Sequence, residues 1–517
     1  MTLCIASALL LAATSCDITT EPESTVTDVN IFDDASSYKA FLAKLYGGLV
    51  LTGQQGPHGQ PDFGRLDEGF TQYTRQLWQL QELPTEEAVI SWGDTGLPEM
   101  QMHTWGTSNQ FIQMIYSRIF YQVSLVNEFL RETTDEKLAA RGHTGLSDEI
   151  QRYRAEARFL RALSYWHGID LFGNIPLVTE EHPLGAFPEQ NTRAELFDFA
   201  VGELNEIRDD LPEVGAAQYG RADQGALAML LAKLYMNAEV YVGADHYADA
   251  FAQIGNVIGG PYSLSADYLS NFLADNHTSP EIIFPVPQDG EKTRTWGNTT
   301  FLAHAACGGS MNANDYGLNW NWSGLRVRPE FVALFPGAPD SPDGRELFYT
   351  DGQNLEVNSI GTFTDGYAAP KYRNIDSFGQ VGSDWEFPDT DYPMFRLADA
   401  YLMYAEIHLR GGGGTRAEAL DYVNQLRERA YGDPSGNITD PELTLDFILD
   451  ERARELWWEG HRRTDLIRYG LFSGDAYVWS WKGGVQAGTS TELYRDLYPI
   501  PASEMLANPN LEQNPGY

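Results

Sequence analysis

Two irregular stretches of the sequence combine tryptophans with amide and carboxylate side chains. In the first, Trp92, Asp94, His103, Trp105 and Asn109 precede a predicted helix. The second alternates aromatic and polar residues within a glycine-flanked loop: Trp296, Asn298, Asn314, Asp315, Tyr316, Asn319, Trp320, Asn321 and Trp322. Aromatic rings can stack on the C–H faces of pyranose rings, while amides and carboxylates can hydrogen-bond sugar hydroxyls. The two clusters therefore predict a carbohydrate-binding surface.

This prediction rests on the clusters rather than on single positions, because a tryptophan in an irregular segment is more often a core residue. At least one of the two clusters is expected to contact ligand. The residues predicted to bind are Trp92, Asp94, Trp105, Asn109, Trp296, Tyr316, Asn319, Trp320 and Trp322.

Patterns typical of enzymes are missing from the sequence. The ten histidines include no H-E-x-x-H or comparable metal-binding spacing, and there is no G-x-S-x-G motif or phosphate-binding loop. His304 and Cys307 lie three residues apart, which is more often incidental than a nucleophile with its base. The 73 Asp and Glu residues are so numerous that many of them could be chosen as a glycosidase pair, so their presence does not indicate a hydrolase. We predict a binding protein, with no catalytic residue, cofactor or metal ligand.

The charge of the chain restricts its partners. Over 517 residues, 35 Lys and Arg stand against 73 Asp and Glu, which gives a net charge of −38. Such an excess repels phosphate backbones, so it argues against nucleic acid as a partner. The composition, 43% hydrophobic and 21% charged, is that of a folded globular protein.

The first 30 residues read as a targeting segment followed by an anchor. Residues 1–15 contain the apolar run IASALLLAATS, which is typical of a secretory signal and too short to span a membrane. Small residues precede Cys16 as in a lipobox, although Ala13 replaces the usual leucine and a basic start is absent. We predict a lipidated Cys16, a polar tether over residues 16–30 and a true start codon upstream. An ordinary secreted protein is the alternative.

The elements that position the clusters are mainly helices. Across residues 149–172 two apolar faces follow helical spacing, then Gly173 and Pro176 end the helix and force an extended segment. A helix with two apolar faces packs between other helices. Further helices are predicted at residues 35–51, 111–131, 193–210 (capped by Thr192), 223–241, 246–258, 395–410, 416–429 and 445–459. These pairs indicate a mainly α helical solenoid over residues 31–260 and 393–470, although the strict tetratricopeptide consensus is not visible.

Residues 261–392 change in composition. Gly, Asn, Asp and Pro dominate, with strand-like runs only at 281–286 and 363–367, so we predict a long loop-rich insertion over the helical frame. Residues 66–106 are predicted to be irregular, and residues 471–517 to form a C-terminal tail. In the last scaffold helix, Glu451, Glu455 and Glu459 share one face, and Arg452, Arg454, Arg462 and Arg463 are close enough to pair with them. We interpret them as structural ion pairs rather than as acid and base.

Several segments resemble the SusD/RagB family of surface lipoproteins. The run AEARFLRALSYW followed by LFGNIPLV resembles the signature helix and exit strand of that family. Residues 220–241, 396–429 and 450–470 match in the expected order, as does the ending YPIPASEMLANPNLEQNPGY. The resemblance spans nearly the whole mature chain, over residues 31–517, and its specificity comes from the conjunction of these segments.

The resemblance implies a tetratricopeptide-like arrangement of the helix pairs and a function beyond what the residues alone indicate. Family members bind glycans beside a SusC-like TonB-dependent outer-membrane transporter, which they cap as a lid. The expectation is therefore a lipid-anchored protein of the outer membrane, exposed at the cell surface, that captures an oligosaccharide through loops in the two cluster regions. The alternatives are a peptide-binding subunit of the RagB type and, outside the family, a surface glycoside hydrolase.

Overall fold

Helices form the framework of the protein. The computed structural model describes residues 31–59, 61–64, 66–183 and 185–517, so the predicted signal peptide, Cys16 and the tether lie outside the described residues. The helices before residue 260 are α1 (Ser36–Val50), α2 (Tyr73–Glu82), α3 (Leu97–Gln101), α4 (Gln110–Glu132), α5 (Asp135–Ala140), α6 (Ser147–Phe172), α7 (Arg193–Ile207), α8 (Gln224–Met236), α9 (Ala238–Val242) and α10 (Tyr247–Ile258). The later ones are α11 (Asn298–Ala306), α12 (Pro329–Val332), α13 (Leu397–Leu409), α14 (Arg416–Tyr431), α15 (Leu445–Leu456), α16 (Arg462–Arg468) and α17 (Ala502–Ala507).

Six short strands pair in three antiparallel ladders. They are β1 (Val89–Ile90), β2 (Ile175–Pro176), β3 (Gln190–Asn191), β4 (Ile282–Val286), β5 (Leu325–Arg326) and β6 (Tyr392–Arg396). The pairs are β1 with β5, β2 with β3, and β4 with β6. Within the described part of the chain, no helix is both long and apolar enough to cross a bilayer.

Helix α6 packs between other helices, as its two apolar faces predict. It contacts α4, α7, α1 and α8. Leu160 on one face and Phe159 on the other are both fully buried. Gly173 ends the helix at a φ of 72°, which favours glycine, and the chain continues into β2. The predicted order of helix, stop and extended segment is confirmed.

The remaining scaffold consists of packed helix pairs. Helix α8 packs on α10, α10 on α13, and α13 on both α14 and α15. The apolar run of α8 from Ala226 to Leu231 is fully buried, and the predicted cap at Thr192 forms a complete capping box with Glu195. The fold is mainly α with a tetratricopeptide-like arrangement, as predicted.

Three predictions about local structure are wrong. The stretch predicted to be irregular, residues 66–106, contains α2 and α3. The helix predicted to begin at residue 395 starts at Leu397, because Phe395 and Arg396 belong to β6 and pair with β4. The predicted strand at 363–367 forms only isolated bridges, at Asp365 and Tyr367. The insertion also contains the nine-residue helix α11.

The predicted structural ion pairs are confirmed in kind, but most partners are arginines distant in sequence. Of the four nearby arginines only Arg454 pairs with one of these glutamates in the described structure, and Glu459 lies beyond the end of α15 at Leu456. Glu451, Glu455 and Glu459 are all buried. Arg345 Nη1 lies 2.8 Å from Glu451 Oε1 and 3.1 Å from Glu455 Oε2, and Arg396 Nε lies 2.6 Å from Glu459 Oε2. These charges therefore connect α15 to the insertion and to β6, which gives them a structural role.

Candidate ligand-binding site

The ladder between β1 and β5 brings the two predicted clusters together. Ile90 pairs with Leu325, and Ser91 N donates to Gly324 O at 3.0 Å just beyond the ladder. Trp92 follows β1, and its Nε1 donates to the carbonyl of Trp322 at 3.2 Å. Two segments some 230 residues apart in sequence thus meet at one place on the surface.

Trp322 lies at the centre of a group of four tryptophans. Its ring centroid is 5.8 Å from that of Trp320, 6.0 Å from that of Trp296 and 6.1 Å from that of Trp92. We call these four residues the aromatic platform. Trp320 is 51% exposed and the other three are partly buried, so the platform offers indole surface to solvent.

Helix α11 and Arg75 pack against the platform. The guanidinium of Arg75 lies 4.1 Å from the ring centroid of Phe301 and 5.7 Å from that of Trp92, and its Nη1 donates to the carbonyl of Trp296 at 3.0 Å. Trp296 N donates in turn to Glu68 Oε2 at 2.9 Å. Burial lowers the pKa of Arg75 to about 9, so it remains charged at neutral pH. Arg75 is a positioning residue for the platform.

His304 and Cys307 do not form a nucleophile and base. The His304 ring stacks on Trp322 with centroids 4.8 Å apart, and its two nitrogens face the carbonyls of Trp320 and Glu386 at 2.9 Å each. Cys307 is buried, and burial raises the pKa of its thiol to about 12. A thiol with that pKa is not a nucleophile at neutral pH. His304 therefore serves as backing for the platform.

Two predicted site residues lie in the interior instead of at the surface. Trp105 is 2% exposed, and its Nε1 donates to the hydroxyl of Tyr517 at 2.7 Å. Asn109 caps α4 by accepting from Phe111 N at 3.0 Å, and its Nδ2 donates to Gly96 O at 2.8 Å. Both side chains are engaged in holding the fold, so we do not carry them into the proposed ligand surface.

The other predicted residues lie at or near the surface. Asp94 and Asn319 are exposed, and Asn319 is adjacent to Trp320 in the chain. Tyr316 is partly buried, with the Arg373 guanidinium 5.5 Å from its ring centroid, and has no aromatic contact with the platform among the described residues. Asn319 therefore lies next to the platform, whereas no ring contact joins Tyr316 to it among the described residues.

Sequence reasoning missed two aromatic neighbours of the platform. Trp385 is 47% exposed and its carbonyl accepts from Asn319 N at 3.0 Å. The ring centroid of Phe387 lies 4.8 Å from that of Trp296. The signal was present in the segment SDWEFPD, an aromatic pair among acidic and loop-forming residues, but nothing local connects it to residues 296–322.

The chemistry available here suits binding rather than catalysis. Clustered indole faces provide apolar contact area for the C–H faces of sugars, and nearby polar groups such as Asp94 and Asn319 can bond hydroxyls. Among the described residues, no group of three or more His, Cys, Asp or Glu side chains could hold a metal ion. Fold and site together define the class of the molecule: a helical-repeat scaffold protein with an aromatic surface site.

Comparisons with known proteins identify the family. The sequence model of the SusD family matches residues 337–517. The chain is 36% identical to the starch-binding protein SusD of Bacteroides thetaiotaomicron over 528 aligned positions, covering 92% of this chain and 91% of that protein. It is 27% identical to SusD-like protein P25 of Formosa agariphila, covering 72% and 73% of the two chains. The chain belongs to the SusD family.

Solved structures show the same fold. A SusD homologue from Bacteroides thetaiotaomicron superposes with a TM-score of 0.73 at 21% identity, covering 96% of this chain and all of that one. Surface glycan-binding protein A from the same species, in complex with laminarihexaose, superposes with a TM-score of 0.68 at 21% identity, covering 92% and 98%. Both structures therefore share the fold of this chain.

Proposed function

We propose that this protein binds a glucan of the starch class at the cell surface, with the aromatic platform as its binding face. The observation that carries the proposal is the contiguous group of Trp92, Trp296, Trp320 and Trp322, which is open to solvent at Trp320. The 36% identity to a starch-binding relative supports the choice of glucan. The protein is not an enzyme in this proposal, and it passes its ligand to a SusC-like TonB-dependent transporter that it caps as a lid.

The choice of ligand is tested by titration calorimetry with a panel of maltoheptaose, laminarihexaose and an unrelated peptide mixture. We expect maltoheptaose to bind and the peptides not to bind. Preference for laminarihexaose would still support glycan binding but would indicate a ligand with a different glycosidic linkage. Exclusive binding of peptides would favour the RagB-type alternative, and release of shorter sugars during incubation would favour the hydrolase.

Replacing Trp320 with alanine tests the platform itself. A stacked aromatic contributes about 1 to 3 kcal/mol to ligand binding, so we expect the affinity for maltoheptaose to fall roughly tenfold or more. Because Trp320 is 51% exposed, the melting temperature should barely move. Phe378, which is 85% exposed and is not among the aromatic contacts of the platform, provides the matched control, and Phe378→Ala should leave affinity unchanged. An unchanged affinity in Trp320→Ala would remove Trp320 from the binding face, whereas a collapsed melting curve would make it a core residue.

The proposed location depends on Cys16. We propose that its lipidated thiol anchors the protein in the outer membrane with the platform exposed at the cell surface. Stable attachment without a spanning helix needs acyl chains, so Cys16→Ala should move the protein from the membrane fraction to the soluble fraction. Cys4→Ala, which changes a cysteine inside the predicted signal, should leave attachment intact. Persistence of Cys16→Ala in membranes washed with high salt would contradict the anchor.

A further inference from the structure

The chain segments that carry Trp296 and Phe387 also line a second pocket. This pocket has a volume of about 610 Å³ and none of the four platform tryptophans lines it. Its walls come from residues 287–293, from Tyr219, which precedes α8, and from Ala274, His277, Ser383, Asp389 and Asp391. We call it the lateral pocket.

Tyr219 provides an aromatic wall that is fixed in place. Its side chain is 43% exposed, and its hydroxyl donates to Asp391 Oδ2 at 2.5 Å. Asp391 is itself buried, and its Oδ1 accepts from Gln288 N at 2.6 Å. The ring of His277 lies edge-on to that of Tyr219, with centroids 6.3 Å apart. The tyrosine ring is therefore held at the pocket wall by a buried carboxylate instead of moving freely in solvent.

Gln288 supplies a hydrogen-bond donor without a partner. Its side chain lines the pocket and is only 7% exposed, yet its Nε2 has no hydrogen-bond partner among the described residues. A buried amide donor that lacks an acceptor costs free energy, and such groups are rare in folded proteins. An oxygen atom supplied from the pocket would satisfy it.

Of the four carboxylates that line the pocket, those of Asp289, Asp389 and Asp391 are already occupied, whereas Glu291 is exposed and has no ion pair among the described residues. Asp289 accepts from Lys292 N at 2.9 Å and from Lys292 Nζ at 2.7 Å. Asp389 accepts from Gly290 N at 2.7 Å and from Ser383 Oγ at 2.6 Å. A cation would have to compete with these donors, and an anion would be repelled by the carboxylates. The groups left free are the ring face of Tyr219, the amide donor of Gln288 and the carboxylate of Glu291, which can accept from a hydroxyl. Together they suit a neutral molecule with C–H faces and hydroxyls.

We propose that the lateral pocket is a second carbohydrate site, which holds one neutral hexose unit. Tyr219 stacks on the C–H face of the sugar, and Gln288 Nε2 donates to one of its hydroxyls. The site is distinct from the platform, and it would bind a branch or a neighbouring unit of the same glycan. The choice of a glucose-based probe rests on the proposed function, whereas the existence of the site does not.

The experiment is a titration with maltotriose followed by ligand-observed and protein-observed NMR. The proteins are the wild type, the pocket variant Tyr219→Ala, the platform variant Trp320→Ala and the variant carrying both changes. We expect two binding components in the wild type. Tyr219→Ala should weaken one component about tenfold, Trp320→Ala should weaken the other, and the doubly changed protein should lose both.

Two further variants separate a lost contact from a lost fold. Tyr219→Phe keeps the ring and should retain most of the pocket component, whereas Gln288→Met removes the amide donor at similar length and should weaken that component several-fold. Circular dichroism of each variant reports the fold. If every pocket variant is folded and leaves both components unchanged, the lateral site is refuted.

The outcomes distinguish this proposal from the proposed function. Loss of a component in Trp320→Ala with no effect of Tyr219→Ala would overturn the lateral pocket alone. Loss in Tyr219→Ala with no effect of Trp320→Ala would support the pocket and overturn the assignment of the platform. A wild-type protein that binds no maltotriose at either place would overturn both.

Discussion

Replacing Glu455 with alanine should lower the free energy of unfolding by about 3 to 5 kcal/mol, because it removes a buried carboxylate that three buried arginines share and leaves excess positive charge in the network. Glu455 is fully buried, and its carboxylate pairs with Arg345 at 3.1 Å, with Arg396 at 2.6 Å and with Arg429. Burial by itself raises the pKa of Glu455, but the guanidinium groups of Arg429, Arg396 and Arg345 outweigh it and bring the pKa well below its usual value. The stabilisation is therefore present above a pH of about 4.5 and is lost as the solution becomes strongly acidic.

Denaturation in urea measures the loss of stability in Glu455→Ala. Titration calorimetry on the folded fraction shows whether ligand affinity changes as well. None of these charged groups bonds to or stacks on a platform tryptophan in the described structure, so affinity for maltoheptaose should be nearly unchanged. Glu206 offers a control, because its carboxylate is 70% exposed while it pairs with Arg158. Glu206→Ala should lose less than about 1 kcal/mol. Lost binding in a Glu455→Ala protein of unaltered stability would show that the ion pairs serve the ligand site.

The helical frame could be predicted from the sequence wherever the buried residues are apolar and recur at helical spacing. Helices α6 and α8 carry long apolar runs, and their partners are other helices with the same kind of face. Helix α2 could not be predicted this way, because its sequence YTRQLWQLQE is mostly polar and yet all ten residues are buried. Distant segments satisfy its polar groups: Gln81 Nε2 donates to Asp170 Oδ2 at 2.9 Å, and Arg75 bonds to Trp296. A local pattern contains no information about such partners.

The same limit applies to the ligand site. Trp105 and Trp320 lie in irregular stretches with polar neighbours, and their local sequences do not tell them apart. The distinction comes from the C-terminus, where Tyr517 accepts a hydrogen bond from Trp105, and from the ladder of β1 with β5, which places Trp92 against Trp322. Residue types predict which kind of ligand these clusters could bind, while the membership of the platform depends on tertiary contacts.

A second large change in the free energy of unfolding is expected from two buried carboxyl groups, at and just beyond the end of α2. This change depends on pH. Glu82 and Glu87 are both buried, and Glu82 Oε2 has no hydrogen-bond partner among the described residues. Burial raises the pKa of Glu82 to about 7, although its side chain accepts from Gly460 N at 2.6 Å and from His461 N at 3.1 Å. Burial, together with the charge of Glu82, also raises the pKa of Glu87. The pair therefore retains a proton in the folded protein at a pH where the unfolded chain has lost it.

The sign of the effect follows from proton binding. Between pH values of about 4.5 and 7 the folded state binds more protons at Glu82 than the unfolded state does, so this group's contribution to stability falls as the pH rises. Glutamine at position 82 mimics the protonated acid, keeps an oxygen for Gly460 N and His461 N, and offers an N–H to Glu87. Relative to the wild type, Glu82→Gln should therefore be unchanged near pH 4.5 and more stable at pH 8, by up to about 3 kcal/mol at 1.36 kcal/mol per pKa unit.

The measurement is the difference in the free energy of unfolding between variant and wild type in urea, at pH 4.5, 6 and 8. The charged neighbours of the pair are Lys371, Glu86 and Arg462, of which Arg462 Nε lies 2.7 Å from Glu86 Oε1 and 3.8 Å from Glu87 Oε1. Glu86→Gln is the matched control, since it weakens the ion pair with Arg462 and should destabilise the protein at pH 8. A Glu82→Gln protein whose advantage does not grow with pH would show that the carboxyl pair is already ionised in the folded state. An advantage that grows across this range would identify the end of α2 as a buried proton-binding site, which opposes at neutral pH the stabilisation that Glu455 and its arginines provide.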